Sequence, residues 1–172
     1  MKNENTKSMI THVKRKLVLA TCLILAALGP PAAELSRGAS LNGSPPVPAN
    51  QTFTISGICA FDVQVTVTGK TKTIALPGGR FILTAPNFYA TFTNLSDPTK
   101  SVTLNLTGST HVSFDANGNQ IVMVTGRNGF FDPSIGILLL VGNFTAVFDS
   151  NGNIIQEPTG NGQVTQVCDL ID

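Results

Sequence analysis

One segment of this chain is written twice. Gly108 to Asn119 reads Gly-Ser-Thr-His-Val-Ser-Phe-Asp-Ala-Asn-Gly-Asn, and Gly142 to Asn153 reads Gly-Asn-Phe-Thr-Ala-Val-Phe-Asp-Ser-Asn-Gly-Asn. Thr125-Gly126 returns as Thr159-Gly160 at the same offset of 34 residues. Each copy runs through strand-forming residues into Asp-x-Asn-Gly-Asn and out again. Asn-Gly supplies the two left-handed residues of a type I′ turn, so each copy reads as a β-hairpin. A solenoid needs three or more repeats. These are therefore two hairpins of one antiparallel meander.

The rest of the chain agrees with that reading. Phe61, Val63, Val65 and Val67 alternate with polar residues, as do Val102, Leu104 and Leu106. Further strand runs are expected at 71–76, 80–85, 88–94, 136–149 and 153–156, with turns at Pro77-Gly78-Gly79, Pro86-Asn87, Asp97-Pro98 and Gly126–Gly129. No helical periodicity follows the first thirty-odd residues. The expectation is an all-β fold, a single antiparallel meander of about eight strands, with a barrel preferred over a sandwich.

The N-terminus carries a different signal. Lys14-Arg15-Lys16 precedes an apolar run, Leu17 to Leu28, and then Gly29-Pro30-Pro31-Ala32-Ala33. This is the pattern of a secretory signal peptide over residues 1–33. Twelve residues, one of them Thr21, are too few for a helix to span a membrane. Residues 34–50 are rich in Pro, Ser and Gly and read as a tether, leaving 51–172 as the β domain. Beyond residue 33 there are six basic and nine acidic residues, a net charge near −3. No basic patch exists, which excludes the electrostatic footprint of a nucleic-acid binder. With Cys22 lost in the leader, Cys59 and Cys168 remain. An even count in an exported chain reads as a disulfide, whereas metal or redox use lacks a CxxC and has only His111 to help.

The search for catalysis finds little. Acid–base and nucleophilic chemistry need partners with tuned pKa values in one place. His111, Asp62 and Arg127 are the scattered candidates, and no GxSxG, HExxH, P-loop or GxGxxG occurs. No catalytic residue, cofactor or metal is therefore assigned. Asp-x-Asn-Gly-Asn differs from an EF-hand loop, with Gly at position 4 instead of 6 and no closing Glu at 12. The single Tyr and the lack of Trp weaken sugar stacking on aromatic platforms. The Ile135–Val141 run reads as a strand buried on both faces, or as the wall of an apolar cavity formed by Ile137, Leu139 and Val141. Five Asn-x-Ser/Thr sequons occur, at Asn42, Asn50, Asn94, Asn105 and Asn143.

Cys59-Ala-Phe61-Asp-Val63, Phe92-Thr-Asn94-Leu, the two Asp-x-Asn-Gly hairpins and Val167-Cys168-Asp169-Leu170 form an ordered set of landmarks. Over about residues 57–172 the chain resembles a set of small exported bacterial proteins of actinobacterial type with no assigned function. That resemblance implies export, a Cys59–Cys168 pairing and a β architecture, and it carries no catalytic residue across. The expected role is a secreted or cell-surface, non-catalytic β domain, not transmembrane in its mature form, that binds a small apolar ligand or an envelope component. A structural or interaction protein of the cell surface is the alternative, and a small barrel isomerase or cyclase a second one.

Overall fold

The computed structural model describes residues 45–172. The expected leader and most of the tether, residues 1–44, lie outside the described residues. Eleven strands follow in order: β1 (Val47–Pro48), β2 (Gln51–Ile55), β3 (Val63–Thr68), β4 (Lys70–Ala75), β5 (Phe81–Thr84), β6 (Tyr89–Asn94), β7 (Ser101–Asn105), β8 (Gly108–Phe114), β9 (Gln120–Asp132), β10 (Gly136–Phe148) and β11 (Ile154–Gln166). They form two antiparallel sheets, one of seven strands in the order β1-β4-β5-β8-β9-β10-β11 and one of four in the order β2-β3-β6-β7.

The two sheets share strands. β1 and β2, β3 and β4, β5 and β6, and β7 and β8 are each two halves of one chain segment that changes sheet midway. Counted that way, seven long strands run up and down, each bonded to its sequence neighbour. The sheet splits beside the fifth. β8 continues onto β9, but β7 bonds only to β6, and the distal half of β9 bonds only to β10. The freed halves stack face to face instead of meeting edge to edge. The expected barrel is thus not what the pairing shows: the meander is present, but it opens into two sheets.

A crease makes this possible. Gly108 lies opposite Gly126, Gly126 opposite Gly142, and Gly142 opposite Gly162, one row across four adjacent strands. Gly142 has φ +138°, and a Cβ there would run into the carbonyl oxygen of Asn161. Only glycine lets the strands approach and turn this way. Phe130 lies opposite Leu138, ten residues before Phe148 on β10. A straight strand would hold those positions about 33 Å apart, yet the rings of Phe130 and Phe148 stack with centroids 6.0 Å apart. The β9–β10 ribbon is folded in half.

Two cores result. One lies between the four-stranded sheet and the distal β9–β10 ribbon, with Val63, Val65, Val67, Ala90 and Phe92 facing Phe131, Ile137 and Leu139. Phe92 and Phe131 stack across it at 6.1 Å. The other fills the fold of the ribbon, with Val124, Phe130, Leu138, Leu140, Phe144, Ala146 and Phe148. Alternate residues of β10 point into different cores, so Ile137 to Leu140 are all buried.

Three local expectations change. First, Gly126–Gly129 is not a turn, because β9 runs through it, bent at the crease. Second, β11 does not stop at Gln156 but continues to Gln166. Two register shifts near Val147 give β11 extra residues around Pro158, which a strand at the sheet edge tolerates. Thr159 therefore pairs with Thr145, and the crease glycine of β11 is Gly162 rather than the repeat-matched Gly160. Third, the hairpin turns are not type I′. Asn117 keeps a negative φ and only Gly118 is left-handed, at φ +81°. Gly118 N–H donates to Asp115 O at 3.1 Å, which makes a type I turn followed by a left-handed glycine. The Asp115 carboxylate selects that form by accepting the N–H groups of Asn117 and Asn119, each at 2.8 Å.

The chain joins the sheet before Gln51. Val47 and Pro48 pair with Thr71 and Lys70, and Ala49 is buried. At the other end, Cys59 and Cys168 form a disulfide with a sequence separation of 109. Asn94, also buried, donates from Nδ2 to Ile171 O at 3.0 Å and accepts from the N–H groups of Ser96 and Asp97. Both devices hold the C-terminal turn against the first core.

Candidate functional site

The outward face of the four-stranded sheet is built by strict alternation. Val63, Val65, Val67, Ala90 and Phe92 take the inward positions, so the intervening residues must face away. Those are Thr52 and Thr54 on β2, Gln64, Thr66 and Thr68 on β3, Tyr89, Thr91 and Thr93 on β6, and Ser101, Thr103 and Asn105 on β7. Thr52, Thr54, Thr68, Tyr89, Ser101 and Thr103 are exposed, and Gln64, Thr66, Thr91, Thr93 and Asn105 are half-buried.

Register turns these residues into rows. Thr52, Thr66, Thr91 and Thr103 lie directly opposite one another across all four strands, and Thr54, Gln64, Thr93 and Ser101 form the next row. No bulge interrupts the pairing. Within the threonine row the Thr52 and Thr66 hydroxyls are 3.1 Å apart, and those of Thr91 and Thr103 are 2.8 Å apart. Threonine suits a strand, and cross-strand threonine pairs stabilise it by about 0.2–1 kcal/mol each. That accounts for threonine but not for the missing charge. All thirteen charged residues between 45 and 172 lie elsewhere, although a solvated sheet face ordinarily carries lysine and glutamate.

The sequence-expected positions lie apart from this face. Ile137 and Leu139 are packed in the first core and Val141 is half-buried beside it. Two shallow depressions open on the surface. One, of about 390 Å³, is lined by Thr84, Pro86, Thr107, Ser109 and Gly126 among others, and one, of about 370 Å³, lies beside the disulfide around Phe61, Ile135 and Asp169. Neither is lined by Ile137, Leu139 or Val141. Nor is either lined by His111, Asp62 or Arg127, which the isomerase or cyclase reading needs in one cavity. His111 sits between Ile82 and Met123 in the register of the larger sheet, Asp62 is exposed before β3, and Arg127 donates from Nε to Asn105 O at 3.2 Å.

The Asp-x-Asn-Gly-Asn loops spend their carboxylates internally. Asp115 Oδ2 accepts from Asn119 Nδ2, and Asp149 repeats every contact through Asn151 and Asn153. The Asn119 side chain, then its backbone N–H, holds the Asp115 carboxyl below the usual range, and Asn153 does the same for Asp149. Among the described residues no three His, Cys, Asp or Glu side chains gather as a metal site, and no helix is long and apolar enough to cross a membrane.

The threonine rows escaped sequence reading because alternation marks a polar face without saying which residues lie opposite one another. The signal available was the Thr-x-Thr spacing at 52–54, 66–68 and 91–93. No protein family, curated protein or solved structure matches the chain at a significant level.

Proposed function

We propose that this is an exported, non-catalytic module that works by docking through the outer face of its four-stranded sheet. The observation that carries the reading is the uncharged, in-register hydroxyl face of Thr52, Thr66, Thr91 and Thr103. Export is supported by the basic and apolar N-terminal pattern and by a disulfide of the kind that persists in oxidising compartments. Docking is favoured over a small apolar ligand because Ile137 and Leu139 already spend their surface on protein contacts.

The test is retention of the disulfide-bonded domain on ice, cellulose, chitin and isolated cell wall. The variant Thr66→Lys/Thr91→Lys sets two charges at the centre of the face. Thr159→Lys, on the exposed edge of the other sheet, is the control. Retention on at least one solid, lost in the double variant and kept in the control, supports the reading. Equal retention of all three proteins, or retention of none, refutes it.

A further inference from the structure

We infer that the Cys59–Cys168 disulfide is a redox-sensitive latch on the loop between β2 and β3, which a dithiol opens while the rest of the fold stays in place.

The two ends of the bond are anchored very differently. Cys168 begins the C-terminal turn, and that turn has ties of its own. Val167 N–H donates to Ile137 O at 2.8 Å, Leu170 N–H to Val167 O at 3.1 Å and Ile171 N–H to Cys168 O at 3.2 Å. Asn94 Nδ2 donates to Ile171 O at 3.0 Å, and Val167 and Ile171 are both fully buried. Cys59 instead lies in the loop that follows Ile55 and ends before its pairing partner Val63. At the far end of that loop Asp62 O accepts the Leu95 N–H at 2.9 Å. Residues 56–61 enter no hydrogen bond among the described residues. Ser56, Gly57 and Ala60 are exposed. Apart from the disulfide, only the half-buried Ile58 and Phe61 hold this stretch, packed against the first core. Backbone with few apolar contacts and no internal hydrogen bonds belongs to the least stable part of a structure.

The bond is also within reach. Cys59 and Cys168 both line the depression of about 370 Å³, together with Ile58, Phe61, Asp169 and Asp172. The two aspartates are the only charged residues of that lining. They repel an anionic reductant and leave a neutral one free to enter.

The chemistry is thiol–disulfide exchange. A thiolate of the dithiol attacks one cysteine sulfur, the S–S bond breaks, and its electron pair leaves on the other sulfur, which takes a proton. The second thiol of the reductant then attacks the mixed disulfide and releases the first cysteine as a thiol. The cysteine pair gains two electrons and two protons, and the dithiol becomes a cyclic disulfide. Once the bond is cut, ordering residues 56–61 costs more than two half-buried side chains return. The C-terminal turn loses one tie among several. Opening is therefore local, and it bares the part of the first core that Ile58 and Phe61 cover.

The experiment follows backbone amide order parameters by NMR in the oxidised protein, after full reduction with the neutral dithiol dithiothreitol, and after reoxidation. Alkylation and mass measurement count the free thiols at each stage. In residues 56–61 the order parameter is expected to fall from about 0.85 to below about 0.6, while β3, β6 and residues 167–171 stay near 0.85. Reoxidation is expected to restore the loop. Cys59→Ser with Cys168→Ser is expected to match the reduced protein without any reductant. A loop equally ordered before and after complete reduction overturns the inference, as does a bond that survives excess dithiol in the folded protein. Loss of order in residues 167–171 along with the loop, or unfolding of the sheets, overturns it as well, because the bond is then a staple of the C-terminus or of the whole fold.

Discussion

Gly142→Ala tests whether the crease is a steric requirement or only a place where glycines collected. The added Cβ would meet the Asn161 carbonyl oxygen and lie 2.8 Å from the Cα of Gly162, at a φ of +138°. Left-handed backbone costs a residue with a Cβ about 1–2 kcal/mol, and overpacking against backbone adds about 1–3 kcal/mol. The sum, about 2–5 kcal/mol, is a large share of the 5–15 kcal/mol that holds a typical domain folded. Gly152→Ala is the uncrowded control: its φ is +83° and nothing lies within 4 Å of the new Cβ, so only the left-handed backbone cost of about 1–2 kcal/mol applies. Gly126→Ala falls between, at φ +85° with Gly108 Cα and Thr107 O each 3.3 Å away. Urea unfolding reads the difference. With an m-value of about 2 kcal/mol/M, the midpoint falls by about 1–2.5 M for Gly142→Ala and by about 0.5–1 M for Gly152→Ala. Equal shifts for the two variants would refute the steric account of the crease, since Gly142 adds crowding, and a φ well beyond the left-handed well, to the cost that Gly152 carries.

Replacing Cys59 and Cys168 by alanine reopens a chain loop set by a sequence separation of 109 and should cost about 4–5 kcal/mol on chain entropy, read as the difference in urea midpoint from the oxidised protein. Asn94→Ala removes three hydrogen bonds at a buried site; thermal unfolding should show a loss of about 2–4 kcal/mol, with faster amide exchange at the C-terminal turn. Asp97, Asp115 and Asp149 all titrate below the usual carboxylate range, held there first by the side chains of Thr99, Asn119 and Asn153 respectively. A carboxylate whose folded pKa is depressed stabilises fully above its unfolded value, and that stability is lost as pH falls through the folded one. Melting temperature should therefore drop below the ordinary carboxylate range, and Asp115→Asn with Asp149→Asn should flatten that acid limb.

The strands legible in the sequence were those with one buried face. Val63, Val65 and Val67, or Val102 and Leu104, sit against a single core, so alternation survives in the residues. The distal part of β11 hid because it is an exposed edge: Pro158, Gly160 and Gly162 break the pattern that burial would impose. The distal half of β9 hid for another reason. Gly126-Arg127-Asn128-Gly129 has turn composition because the strand bends there, and composition does not separate a bend from a reversal. The disulfide was readable from cysteine count alone. The barrel expectation failed because alternation is the same whether strands close edge to edge or part and stack. The threonine face failed to register for a related reason: Thr66 and Thr91 are 25 positions apart in the chain, and only pairing makes them neighbours.

The seven long strands also imply an order of assembly. Each bonds to its sequence neighbour, so hydrogen-bonded structure grows through short loops, which favours fast folding. Burial of the first core is different, because Ile171 must reach Asn94, 77 residues back, and Phe131 must reach Phe92. The chain can thus zip into a ribbon quickly and dock its last third slowly. Until it docks, the apolar faces of β3 and β6 lie bare in an extended sheet. The molecule is then most exposed to self-association late in folding, after its hydrogen bonds have formed. Oxidation of Cys59 and Cys168 ends that window by locking the last third in place.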